Sequence, residues 1–285
     1  MKIVQILGGL GNQMFQYAFY KALKNLYSDV KLDISAFDKY EMHNGFELNN
    51  IFKIDRNYTT KKERNILSYQ GGGLSKKILK KIFKYKKTEF TEPYLGYFDN
   101  MLHIQGDAYF IGYWQSYKYF SAIEDKIREQ FIFPQLITSK NLDIIAKIKN
   151  SNSISIHIRR GDYINNPLYS NICTLEYYNK AIAFFKQKVD NPVFYIFSND
   201  IKWCSENLLV KENSYFIDWN KGTDSFWDIY LMSLCKHNII ANSSFSWWGG
   251  WLNSNDNKIV VGPSKWLNDE RININDILLP EWVSI

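Results

Sequence analysis

The chain has 285 residues, with 35 Lys and Arg against 29 Asp and Glu for a net charge of +6, and 46% of its residues are hydrophobic. That length and apolar share exclude a small stapled scaffold or a disordered chain, and supply core for one large or two medium domains, two being the expected number. The moderate positive charge suits an anionic small molecule, an anionic membrane surface or nucleic acid, and does not choose among them.

Cys173, Cys204 and Cys235 are widely spaced and odd in number. No CxxC or Cys/His spacing marks zinc, a disulfide framework is not expected, and a reducing compartment fits best. Residues 1–7 are too short, and too soon followed by Gly8-Gly9, for a secretory apolar region. No apolar run is long enough to span a bilayer. The expectation is a cytoplasmic protein, soluble or peripheral to the membrane.

Lys2 to Leu7 reads as a buried strand. Gly8-Gly9-Leu10-Gly11-Asn12-Gln13 follows, then a helix through Met14, Phe15, Tyr17, Ala18, Ala22, Leu23 and Leu26, and a second strand over Val30–Ile34. A glycine-rich turn at a helix start favours anions. Gly9, Gly11 and Asp33 approximate a dinucleotide fingerprint, but Met14 stands where the third glycine belongs. A nicotinamide-dependent oxidoreductase is therefore an alternative. Otherwise the glycines admit close backbone approach, and Asn12 and Gln13 offer amide donors and acceptors to a substrate. The plainer reading is a tight strand-to-helix turn with Asn12 as N-cap.

Residues 38–67 are irregular. After Gly71-Gly72-Gly73, the stretch Lys76 to Lys87 carries seven lysines interleaved with apolar residues. At helical spacing it is a solvated basic helix or, alternatively, a peripheral contact with anionic membrane. No nucleic-acid module surrounds it. Tyr109 to Ser116 is an aromatic segment, strand-like at first, whose Tyr, Trp and Gln could face a sugar. Helices are expected over Ser121–Gln130 and Asn141–Lys149. The domains are placed at 1–148 and 149–285, with the last residues packing back on the first domain.

Ser153 to Ile158 alternates with period two and is rich in β-branched residues, so it reads as a strand. It delivers Arg159-Arg160-Gly161-Asp162 to its carboxyl end. Ligands of parallel α/β sheets sit beyond that end. The planar fork of arginine donates two parallel bonds to phosphate, and Asp162 could orient one of the two. A surface ion pair is the plain alternative.

Further helices follow over Thr174–Val189, with Thr174 as N-cap, Ile201–Leu208 and Asp224–Cys235, the last with Asp224 and Asp228 in its early turns. Strands are expected over Val193–Phe197, Tyr215–Ile217, Asn238–Ala241 and Lys258–Pro263. Asn242-Ser243-Ser244 lies where a strand turns into a helix, a phosphate cradle or an ordinary serine cap. Trp247, Trp248 and Trp251, at helical spacing, are expected in the core. Alternating strands and helices imply two Rossmann-like domains facing each other across a cleft. There is no DxD pair, no GxxxxGK[ST] loop and no GxSxG elbow. Arginine and backbone without metal carboxylates suit departure of a nucleoside diphosphate.

Three stretches carry a family resemblance: Gly8-Gly9-Leu10-Gly11-Asn12-Gln13-Met14-Phe15-Gln16-Tyr17, His157-Ile158-Arg159-Arg160-Gly161-Asp162-Tyr163 and Asn242-Ser243-Ser244-Phe245-Ser246-Trp247-Trp248. Phe197-Ser198-Asn199-Asp200 with Trp203 is similar to a further block. In this order they resemble the bacterial α-1,2-fucosyltransferases of glycosyltransferase family eleven.

The resemblance implies an α/β fold of the GT-B-like type. It implies GDP-β-L-fucose as donor, inverting transfer to the 2-hydroxyl of a terminal galactose, and no metal or other cofactor. Surface-polysaccharide or O-antigen assembly is the corresponding setting. It implies that Arg159 holds the diphosphate, helped by Arg160, and that Ser243, Ser244 and Phe245 line the phosphate and nucleoside side. Asp228 is implied for the guanine amino groups, and Asn12 for the cleft side of the other domain. The proton acceptor is left open between Asp162, which pairing with arginine would make less basic, and His157, which could equally be structural. A non-catalytic glycan-binding protein is a third alternative.

Overall fold

The computed structural model describes residues 1–39, 43–70, 86–135, 138–210 and 213–285. Residues 76–85 of the lysine-rich stretch, and the membrane contact inferred from it, lie outside them. The chain divides into two compact units, Met1–Ile132 and Phe133–Ile285.

The first unit runs β1 (Lys2–Gln5), α1 (Leu10–Leu26), β2 (Val30–Asp33), α2 (Leu48–Ile51), α3 (Lys61–Leu67), β3 (Glu89–Thr91), β4 (Ala108–Ile111) and α4 (Glu124–Gln130). Its strands form a parallel sheet in the order β2-β1-β4-β3. Every residue of β1 is buried, as befits a parallel strand covered on both faces. Helix α1 is buried nearly all round, with Met14, Phe15, Tyr17, Ala18, Phe19 and Leu23 inaccessible to solvent. The irregular pattern before residue 67 resolves into short helices. One, α3, starts at a capping box in which Thr60 Oγ1 accepts from Glu63 N and Glu63 Oε2 accepts from Thr60 N.

The second unit runs α5 (Ser139–Lys149), β5 (Asn152–Ile158), α6 (Gly161–Ile164), α7 (Leu175–Lys188), β6 (Pro192–Ser198), α8 (Ile201–Asn207), β7 (Ser214–Ile217), α9 (Phe226–Leu234), β8 (His237–Ile239), α10 (Ser244–Leu252), β9 (Val260–Gly262) and β10 (Val283–Ser284). All six strands are parallel, in the order β10-β9-β8-β5-β6-β7. Counted from β5, this is the doubly wound order 3-2-1-4-5-6, and the direction of winding reverses between β5 and β8. Ile154, Ile156 and Ile158 of β5 share a core with Tyr177, Tyr178, Ala181, Ile182 and Phe185 of α7. Trp247, Trp248 and Trp251 are core, as their spacing predicts.

Helix α5 packs against α9 and β5 and buries Ile144, Ile145 and Ile148. The compact units consequently divide at 132/133, ahead of the 148/149 division drawn from the sequence. The closing residues extend the second sheet, Val283 registering with Val261. Both sheets are Rossmann-like. Among the described residues no helix is long and apolar enough to cross a membrane.

Candidate functional site

In the second unit the β5 carboxyl end carries Arg159, whose Nε and Nη2 donate to Asp162 Oδ1 and Oδ2 at 2.8 and 3.0 Å. The aspartate lies in the first turn of the short α6, three residues on, so the fork closes locally. Both side chains reach solvent, at 30% and 55% exposure, which leaves the pair able to exchange partners.

Arg160 turns the other way. Its backbone N–H donates to Asn199 Oδ1 at 3.0 Å and its Nε to Asp200 Oδ2 at 3.1 Å, both just beyond β6. Its guanidinium carbon lies 3.8 Å from the centroid of the Trp203 ring, a stacked cation–π contact. Gly161 permits this close approach, because an added Cβ would sit 2.5 Å from Asn199 Nδ2 and that side chain would have to shift. Arg160 therefore ties the β5 loop to the β6 loop, whereas Arg159 pairs within its own loop.

Across the switch point, Ser243 caps α10, its Oγ accepting from Phe245 N at 3.4 Å. Ser244 and Phe245 open that helix, where backbone N–H groups point outward. Asn242 is a structural tie: it is almost wholly buried and its Nδ2 donates to Trp266 O. Tyr163 joins the two sides of the switch point. Its hydroxyl donates to Asn242 O at 3.3 Å, its ring stacks on Tyr169, and Arg159 lies 5.6 Å from its centroid. Its contribution has no signal in the sequence beyond its place in the arginine motif.

His157 is on β5, 5% exposed, with its ring 5.6 Å from that of Phe245. Burial first, and the Arg159 charge second, push its pKa down to about 3. A buried imidazole held neutral beneath the arginine suits a packing role better than the base role the sequence left open to it. Asp228 lies in the first turn of α9, where Oδ1 accepts from Asn220 Nδ2 at 2.8 Å. Burial pushes its pKa up to about 7, opposed by the Asn220 bond.

In the first unit, the turns after β1 and β4 lie together because those strands are neighbours. Asn12 Oδ1 accepts from Gln115 Nε2 at 2.7 Å. Gln13 does not face a substrate. It is fully buried, donating to Gly8 O and Gly45 O and accepting from Glu47 N. Its neighbour one turn on, Gln16, ties Leu7 N to Gly112 O in the same way. The cap of α1 is Gly9, not Asn12. Trp114, offered by the sequence as a sugar platform, is core, stacked on Phe19 at 4.3 Å.

Asp33, the acid a dinucleotide ribose would need, is 1% exposed. Its oxygens accept from Arg64 Nη1, Ser35 N and Tyr109 Oη. With Met14 in the core as well, the oxidoreductase alternative loses both its third glycine and its acid. Among the described residues, no group of three or more His, Cys, Asp or Glu is placed to hold a metal ion.

Comparison with known proteins gives a consistent result. The family model described as Glycosyl transferase family 11 matches residues 1–285. An alpha-1,2-colitosyltransferase of Escherichia coli is 34% identical over 99% of this chain and 98% of its own length. Galactoside alpha-(1,2)-fucosyltransferase 2 of Rattus norvegicus is 25% identical, over 100% of this chain and 77% of that protein. Among solved structures, the α-1,6-fucosyltransferase NodZ of Bradyrhizobium, co-crystallised with GDP, superposes with a TM-score of 0.53. It is 13% identical over 87% of this chain and 90% of its own, a likeness of fold alone, and that fold is the GT-B type.

Proposed function

Because the chain belongs to glycosyl transferase family 11, and is thereby a glycosyltransferase, we propose that it transfers L-fucose from GDP-β-L-fucose to the 2-hydroxyl of a terminal β-galactose. Transfer inverts the anomeric centre and needs no metal ion. The observation that carries this reading is the Arg159–Asp162 fork on the β5 side of the β5/β8 switch point, with the Ser243-capped start of α10 on the β8 side.

In this reading the acceptor oxygen attacks the anomeric carbon as the bond from that carbon to the β-phosphate oxygen breaks, and the bonding electrons leave on that oxygen. Arg159 neutralises the growing charge, with N–H groups of the Ser243–Ser244 turn as preorganised donors. Asp162 holds the guanidinium aimed until phosphate replaces it, and the proton of the acceptor hydroxyl passes to a base or water on the face opposite the leaving phosphate. Arg160 acts one step back, through its hold on Asn199 and Asp200. Phe245 lines the nucleoside side and Asp228 receives the guanine N–H groups. Asn12 is assigned to the acceptor.

The Escherichia coli relative's name favours one specific second reading, in which the transferred sugar is colitose, the analogue of fucose lacking the 3-hydroxyl. Turnover of GDP-fucose against GDP-colitose on β-galactosides, with linkage analysis of the product, separates the two. We expect an α-1,2 product from GDP-fucose. Exclusive use of GDP-colitose would replace fucose as the donor sugar, and a product linked elsewhere than the 2-hydroxyl would overturn the acceptor assignment.

A further inference from the structure

Glu92 follows directly on β3 and belongs to no motif in the sequence. Its Oε2 accepts from Tyr113 N at 2.7 Å and Trp114 N at 3.2 Å. Its Oε1 is buried. The backbone it holds is strained: Trp114 has φ +54°, the left-handed region that bulky residues avoid. Gly112 yields the space, since an added Cβ would lie 2.5 Å from Glu92 Cβ.

The next residue along is Gln115, whose Nε2 meets Asn12 Oδ1. Tyr113, 36% exposed, passes within 3.5 Å of where a Gly8 Cβ would stand. The strained turn thus fixes the side chains that surround Asn12 at the carboxyl edge of the first sheet.

We propose that Glu92 is a positioning residue for the acceptor: its carboxylate locks the left-handed turn at Trp114 and so aims Tyr113 and the Gln115–Asn12 pair at the acceptor sugar. This rests on the reading above in which Asn12 serves the acceptor.

A turn needed only for folding can be held by a neutral amide, more weakly but without desolvating a charge. Burial pushes the Glu92 pKa up to about 7, opposed by the amides of Tyr113, Trp114 and Gly96, with no ionised side chain among the causes. A carboxylate held at that disadvantage beside Asn12 is a candidate for function. The ionised form makes the stronger bonds to the two amides. Acceptor use therefore rises as pH rises through about 7, while this group's contribution to stability falls as pH rises from its ordinary value of 4.5 to about 7.

The test compares wild type with Glu92→Gln, Gln115→Ala and the double variant, reading KM for a β-galactoside, KM for GDP-fucose, GDP affinity, and Tm at pH 8. Glu92→Gln should raise Tm, leave both donor readouts unchanged, raise the acceptor KM on the order of tenfold, as loss of one charge-assisted bond implies, and flatten the pH profile. Gln115→Ala should raise the acceptor KM similarly, and the double variant should be no worse than the worse single. An unchanged acceptor KM with raised Tm would overturn the inference, as would equal damage to donor and acceptor. Should Glu92→Gln not fold, an acceptor KM unmoved by Gln115→Ala overturns the inference, and a rise in it with the donor KM unchanged supports it. Wild type without galactoside-dependent turnover would instead remove the reading on which the inference rests, and both would fall together.

Discussion

The guanidinium of Arg159 and the carboxylate of Asp162 meet as a two-bond fork three residues apart, at the point where the second sheet reverses its winding. The fork holds the guanidinium in a two-bond geometry without burying it, so a diphosphate can displace the aspartate with little rearrangement. Arg159→Ala should lower kcat by about 10²- to 10³-fold, the loss typical of one preorganised charge-stabilising donor. Arg159→Lys should recover little, because a point charge cannot reproduce the fork. Both side chains are solvent-exposed, so circular dichroism and Tm should barely move. A fall in Tm that tracks the fall in kcat would mean that the pair is structural.

Arg160, Trp203, Asp200 and Asn199 form the brace behind that fork. Gly161→Ala pushes a methyl into Asn199 Nδ2 and should destabilise by about 1–3 kcal/mol, the usual effect of overpacking. Asn199→Ala in the same chain should relieve the clash, so the double variant should be more stable than Gly161→Ala alone. Urea unfolding of the three variants measures this directly, and strict additivity would place the strain elsewhere.

Gln13 looks like a substrate residue in the sequence and is a folding residue in the structure. Gln13→Ala leaves Gly8 O, Gly45 O and Glu47 N without their side-chain partner, and should cost about 1–3 kcal/mol. GDP affinity of the folded protein should be unaffected. Weaker GDP binding at unchanged stability would restore Gln13 to the site.

Asp228 gives a pH signature. Its native carboxyl holds a proton up to about pH 7, whereas in the unfolded chain the same group releases it near its ordinary value of 3.8. Between those pH values the native state binds more protons, so this group's contribution to stability falls as pH rises. Asp228→Asn should remove that slope and be more stable than wild type above pH 7. Parallel Tm profiles for the two proteins from pH 5 to 8 would contradict the burial seen here.

Ligand-dependent stability separates nucleotide classes. GDP should raise Tm and NADH should not, because a specific ligand stabilises the native state and Asp33 is already occupied by Arg64, Ser35 and Tyr109. A shift with NADH alone would reverse the assignment of the glycine turn.

The second unit was legible because its signals are local. Alternation in Ser153–Ile158 marks a strand, and Thr174 and Ser243 announce helix starts by their own hydroxyls, each accepting from an N–H a few residues on. The Arg159–Asp162 fork closes within four residues of chain, so spacing alone could suggest it. Distant partners left no such trace. Gln13 reads as a polar residue in a glycine turn, yet its partners include residues 45 and 47. Glu92 acts on amides some twenty residues away. It closes a strand of three residues, too short to show a period. Trp114 misled for a related reason: composition makes it a sugar platform, and only the left-handed turn sends its ring into the core. His157 shares its motif with two arginines, and burial beside Phe245 decides its role.

The measurement that bears most directly on the proposed chemistry is GDP release from GDP-fucose in EDTA, with and without a galactose-terminated disaccharide, for wild type and Arg159→Ala. Wild type should release GDP only when the disaccharide is present, at a rate EDTA leaves unchanged, and Arg159→Ala should lose that release while staying folded. Release restored only by added divalent metal, release indifferent to the acceptor, or full release without Arg159 would contradict metal-free transfer at the β5/β8 switch point.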